Sequence, residues 1–182
     1  MRITQALVAG LTFFIISYGT VILAAPESII ATPQNDQQRE ILKVILHWQE
    51  TYNTDVEKMI LDCYAPDADV YFTGASAHGH AQFIRLEKAI VDAAPGRKMR
   101  IDRVLFAGDD TAIVEAVVLD SARPDYFSPW CAILTFRNGK IVQDRTYLDP
   151  ARWPGIEAAK GIPTPGGLGM TAKPGIPDAP KS

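Results

Sequence analysis

Asn138-Gly139 separates two stretches whose side chains alternate between apolar and polar, and this arrangement limits the fold more than any other feature of the chain. Both turn residues tolerate positive φ, as a two-residue hairpin requires, so residues 130–137 and 140–148 are expected to pair antiparallel. The same period-two spacing runs back through residues 98–106, 111–120 and 128–137. Their joints, Gly108-Asp109-Asp110 and Ala122-Arg123-Pro124-Asp125, are short turn material that favours an antiparallel meander.

Upstream of Pro95-Gly96 the spacing is helical instead. Asp36 followed by Glu40 marks a helix start, and Ile41, Val44, Ile45, Trp48 and Tyr52 form one apolar stripe. Asn53-Thr54-Asp55 breaks it, with Thr54 or Asp55 able to cap a second helix through Val56, Met59, Ile60 and Cys63. Pro66-Asp67 is expected to end that helix and lead to a short strand at 69–73. A Gly- and His-bearing loop at 74–79 then opens a third helix carrying Phe83, Leu86 and Ile90. Helices first and strands afterwards make an α+β domain, three N-terminal helices packed on a curved antiparallel sheet that closes as a cone with a pocket.

Strand alternation singles out one carboxylate. In 140–148, Gln143 and Arg145 point one way, whereas Val142, Asp144, Thr146 and Leu148 point the other. Trp130, Ala132, Leu134 and Phe136 are the inward residues of the facing strand. Desolvation there would raise the pKa of Asp144 into the range of a working acid or base, or the carboxylate would pair with an arginine such as Arg103. His78 and His80 flank Gly79 where imidazole could enter the pocket mouth, or be solvated loop residues; His47 lies beside the helical stripe. Trp48 and Tyr52 either present a polar tip to a ligand or are simple core. The His-x-His spacing lacks a third ligand, so no metal is expected.

The net charge of −3 gives no reason to expect nucleic acid, and there is no Gly-rich phosphate loop, Cys-x-x-Cys or Gly-x-Ser-x-Gly. Residues 6–25 form an apolar run behind Arg2, readable as a cleaved signal or as an uncleaved membrane anchor, so the domain is expected to be periplasmic or secreted. The expected organisation is 1–25 export segment, 26–36 linker, 37–156 domain and 157–182 disordered Gly/Pro-rich tail. Cys63 and Cys131 are a possible disulfide or two buried apolar residues. Ile113, Val117, Cys131, Ile133, Ile141 and Tyr147 give the outward sheet face enough apolar surface for a homodimer.

The order helix, helix, strand with Pro66-Asp67-Ala68-Asp69-Val70, Gly-His loop, helix, and a meander ending Asn-Gly-Lys-Ile-Val-x-x-Arg-x-Tyr-x-Asp resembles the nuclear transport factor 2-like superfamily. Within it the chain is most similar to the SnoaL-like branch, named after polyketide cyclases, over roughly residues 37–156. The resemblance implies a cone-shaped fold with a deep pocket, frequent dimerisation through the sheet, and acid/base chemistry without metal or cofactor. In cyclases of this branch an Asp of the last strand transfers the proton, and Asp144 holds the matching position. The carboxylates and tyrosine of ketosteroid isomerases are not matched: Trp48, Phe72 and Ala132 stand there. On this reading Asp144 and His80 are the catalytic candidates, and Trp48, Tyr52, Phe72, His78, Trp130, Ala132, Leu134 and Thr146 line the pocket. The function is then a cofactor-free cyclase, isomerase, dehydratase or hydrolase for a small hydrophobic molecule. A carrier of such a molecule or a dimeric interaction domain are the alternatives.

Overall fold

In the computed structural model of the chain, which describes residues 29–73, 75–159 and 162, the first apolar stripe becomes α1, Asp36–Tyr52. Its cap lies one residue ahead of the expected Asp36: the Asn35 side chain accepts from the Gln38 N–H at 2.8 Å, and Gln38 reaches back to the Gln34 N–H. Of the two candidate caps for α2, Val56–Cys63, it is Asp55 that accepts from the Lys58 N–H. α2 runs straight into β2, Tyr64–Phe72, so the strand begins well before residue 69. Pro66 is tolerated because the ladder to the neighbouring strand is interrupted between Tyr64 and Asp69, where no donor is needed.

The expected loop at 74–79 is a second correction. Ala75–His78 form β3, an edge strand antiparallel to β2, and Gly79 opens α3, Gly79–Ala93. Gly79 has φ +70, and a Cβ there would lie 2.9 Å from the Pro66 carbonyl oxygen, so the turn from β3 into α3 needs glycine. Only two of the three helices therefore precede the first long strand.

The meander follows its expected bounds to within a residue: β4 Arg97–Phe106, β5 Thr111–Asp120, β6 Phe127–Arg137 and β7 Lys140–Tyr147. Asn138 and Gly139 both have positive φ, as the hairpin reading requires. The sheet is mixed, not purely antiparallel. In the order β1-β4-β5-β6-β7-β2-β3, β1 (Ile30–Ala31) runs parallel to β4 and β2 parallel to β7. Residues 30–31, expected in a linker, thus add a sheet strand.

A bulge in β7 alters the alternation. The register passes from Thr135↔Gln143 to Phe136↔Ile141 and leaves Val142 without a partner, so Ile141 turns inward and is fully buried while Val142 is partly exposed. Unbroken alternation predicts both residues on the opposite faces. Val117, expected on the outward face, is buried as well. The three helices and the inward residues of β2 and β4–β7 share one hydrophobic core.

Beyond β7, Asp149 starts a 3-10 turn at Pro150–Arg152 and a second follows at Ile156–Ala159, where Ile156 and Ala159 are buried. The folded unit continues past the expected boundary at 156. Cys63 is buried, Cys131 is half-buried on the opposite sheet face, and both are free thiols. The 6–25 segment and nearly all of the expected tail lie outside the described residues, among which no helix is long and apolar enough to cross a membrane.

Candidate functional site

Parallel pairing of β2 with β7 and antiparallel pairing of β6 with β7 put Asp144 between Val70 and Leu134 in the middle of the inward face. Only 3% of it is exposed. Oδ2 accepts from the Tyr64 hydroxyl at 2.7 Å and Oδ1 from Thr146 Oγ1 at 2.8 Å. Both partners are neutral; Arg103, the cation considered for this carboxylate, donates to Glu115 at 2.7 Å instead. Burial pushes the Asp144 pKa up to about 6; the two hydroxyls act against it, and the charge of Glu87 adds to it. Burial, followed by the Asp144 charge, holds the Tyr64 phenol well above its ordinary value, so it remains a donor.

Asp144 opens onto a cavity of about 40 Å³, room for about three water molecules. Five expected residues line it: Tyr52, Phe72, Trp130, Thr146 and Asp144 itself. Five others are elsewhere. Ala132 and Leu134 are sealed in the core, and Trp48 is buried behind the wall with its ring edge-on to Trp130 at 5.8 Å. His78 is exposed on β3 and faces Asp69 at 2.8 Å, because the segment expected to be a loop is a strand that turns it outward. His80, in the first turn of α3, has Nε2 3.1 Å from the Tyr64 carbonyl oxygen and meets the backbone of the residue that holds Asp144, not the cavity.

Sequence reasoning missed the other half of the wall: Val70, Phe83, Glu87, Met99, Leu148 and Trp153. Glu87 was detectable, one helical turn after Phe83. It accepts from Arg97 Nη2 at 3.1 Å, and the Arg97 side chain is only 1% exposed. The guanidinium lies over the rings of Tyr52, at 4.9 Å, and Trp153, at 5.7 Å. Tyr64 was hidden by Pro66, which made its strand look like a helix end. Among the described residues no cluster of three or more His, Cys, Asp or Glu side chains is placed to hold a metal ion.

A family model described as a SnoaL-like domain matches residues 45–144, more than half of the chain. The chain belongs to the SnoaL-like family. The match ends at Asp144 and leaves out the segment that carries Trp153. No curated protein matches this SnoaL-like chain. Among solved structures it is similar to a SnoaL-like polyketide cyclase candidate from Jannaschia sp. CCS1, with TM-score 0.58 and 14% identity over 72% of this chain and 99% of that one. It is also similar to a Catenulispora acidiphila protein with a ketosteroid isomerase-like fold, in complex with trimethylamine, with TM-score 0.54 and 18% identity over 64% and 95%. A de novo designed protein with a curved β-sheet matches as well, with TM-score 0.55 and 18% identity over 66% and 94%. At such identities the likeness is one of fold, α+β and nuclear transport factor 2-like, and a fold does not by itself carry a reaction.

Proposed function

We propose that this SnoaL-like protein is a cofactor-independent acid/base enzyme acting on a small molecule, with Asp144 as the group that moves the proton. The observation that carries this reading is a buried carboxylate on a cavity wall that has, among the described residues, two hydroxyl partners and no cationic one, so that burial pushes its pKa up to about 6. Such a group is mostly ionised at neutral pH and basic enough to take a proton, yet acidic enough to return it. Tyr64 and Thr146 fix its orientation from either side, so the proton transfer needs little rearrangement of the site. The cyclase candidate among the structural neighbours, and the trimethylamine held by another, support a small-molecule role.

Hydrogen–deuterium exchange into a panel of small carbon acids in D2O (nitromethane, malononitrile and acetone), followed by proton NMR, tests it. Exchange of at least one is expected to be accelerated, to follow an ionisation near pH 6, and to fall by about 100-fold or more in Asp144→Asn. No acceleration across the panel by the wild-type protein would count against the reading. A second reading, ligand binding without chemistry, is favoured by one observation: both oxygens of Asp144 already have donors. It predicts that binding persists in Asp144→Asn with no exchange in either form.

Export and assembly belong to the same proposal. The apolar run at 6–25 supports a periplasmic or secreted domain, cleaved near Ala25 or tethered by the run, and N-terminal sequencing of membrane and soluble fractions separates the two. The outward sheet face supports a homodimer.

A further inference from the structure

Everything after Asp144 in the cavity wall lies outside the family match, and Trp153 is part of it. Trp153 sits in the strap between the two 3-10 turns, its ring edge-on to Trp130 at 5.8 Å and under the Arg97 guanidinium at 5.7 Å. The strap is pinned just beyond it. Gly155 has φ +82, and a Cβ there would lie 2.2 Å from the Ile90 carbonyl oxygen, so the chain runs hard against α3 before Ile156 and Ala159 bury themselves. The cavity that remains is about 40 Å³, against the ~150 Å³ that accommodates a benzene ring.

Two residues of the wall end in polar atoms that lack a partner: Tyr52 Oη and Trp130 Nε1 are buried with no hydrogen-bond partner among the described residues. Both can donate: an indole N–H does nothing else, and burial keeps the Tyr52 phenol protonated, so it donates as well as accepts. Glu87 and Arg97 offset one another, so Asp144 carries the uncompensated charge, and an anionic ligand would be repelled.

We propose that Trp153 is a specificity-determining residue, which restricts the cavity to the narrow end of a molecule that is not an anion, a few heavy atoms bearing a hydrogen-bond acceptor for Tyr52 and Trp130, and shuts out fused-ring ligands. This rests on the cavity being the ligand site of the proposed enzyme. It does not rest on Asp144 being the base.

Acetone and 1-naphthol are suitable probes, with binding to wild type, Trp153→Ala and Asp144→Asn measured by the indole ¹H–¹⁵N resonances and by calorimetry. Acetone is expected to bind wild type and Asp144→Asn alike and to move the Trp130 indole proton downfield. 1-Naphthol is expected to bind Trp153→Ala at least about tenfold more tightly than wild type. Equal affinity of wild type and folded Trp153→Ala for 1-naphthol overturns the proposal, as does acetone saturation without a Trp130 shift. If near-UV circular dichroism shows Trp153→Ala unfolded, Trp153→Phe, which keeps a ring against Trp130, replaces it with a smaller expected gain, and no gain overturns the proposal. Acetone binding by Asp144→Asn together with a failed exchange assay refutes the base and leaves Trp153 standing; exchange with the naphthol result reversed does the opposite.

Discussion

Asp144 sets the behaviour of the molecule at the scale of single residues. Its pKa, raised from 3.8 to about 6, means that the folded state binds the proton more tightly than the unfolded chain. The resulting stabilisation is fully present below about pH 4 and is lost as pH rises through about 6. At pH 7 the penalty is about 3 kcal/mol, at about 1.4 kcal/mol per pKa unit. Asp144→Asn removes it, and the Asn side chain can serve only part of the hydroxyl pair, so a net gain of about 1–2 kcal/mol at pH 7 and little or no gain at pH 4 is expected in denaturant melts. Tyr64→Phe acts in the opposite sense. It deletes a donor to the charged form, so it should cost about 1–2 kcal/mol and move the ionisation seen by carboxyl ¹³C NMR upward from 6. An unchanged ionisation in Tyr64→Phe would mean that the hydroxyl does not hold Asp144 in solution.

Elements explain which parts of this could be read without coordinates. The positions of α1, α2 and the four meander strands were legible because helical stripes, the Asp55 cap and the Asn138-Gly139 turn act within a few residues. Asp144 was legible because Thr146 and Leu148 share its alternation beyond the bulge. Ile141 and Val142 were not, since a single unpaired residue reverses the faces and leaves no mark in composition. The histidines were misplaced because β3 is only four residues long and owes its form to β2, not to its own sequence. Trp153 reaches the cavity, and Tyr64 reaches Asp144, through tertiary contacts that no local period records. Two substitutions test the elements. Asp55→Ala removes the α2 cap and should cost about 1 kcal/mol. Gly155→Ala forces a Cβ into the Ile90 carbonyl at positive φ and should cost about 2–3 kcal/mol, with loss of hydrogen-exchange protection confined first to the strap.

At the scale of the whole molecule, the outward face of the sheet carries a row that crosses five strands: Tyr71, Arg145, Ile133, Ile113 and Leu105, each paired with the next. Tyr71, Leu105, Tyr147 and Phe127 are exposed there, which suits a second copy of the chain. Light scattering at ~10 µM is expected to give a dimer burying roughly 800 Å² per partner, and Ile133→Glu should return it to a monomer with the fold intact. A wild-type monomer at that concentration would remove the assembly proposal. The position of β7 between β6 and β2 has a consequence for how the molecule comes into being. Tyr64 and Asp144 are 80 residues apart in the chain, so a ribosome makes the holder of the proton long before its carrier. Until residue 148 has cleared the exit tunnel, β2 has no partner on one side, and the nascent chain holds three helices and the antiparallel pairs β2–β3, β4–β5 and β5–β6 but lacks Asp144 or its place in the sheet. On the proposed reading, activity then cannot accumulate gradually during synthesis: it would start when the last strand enters the gap, and a product cut short before β7 is expected to have none.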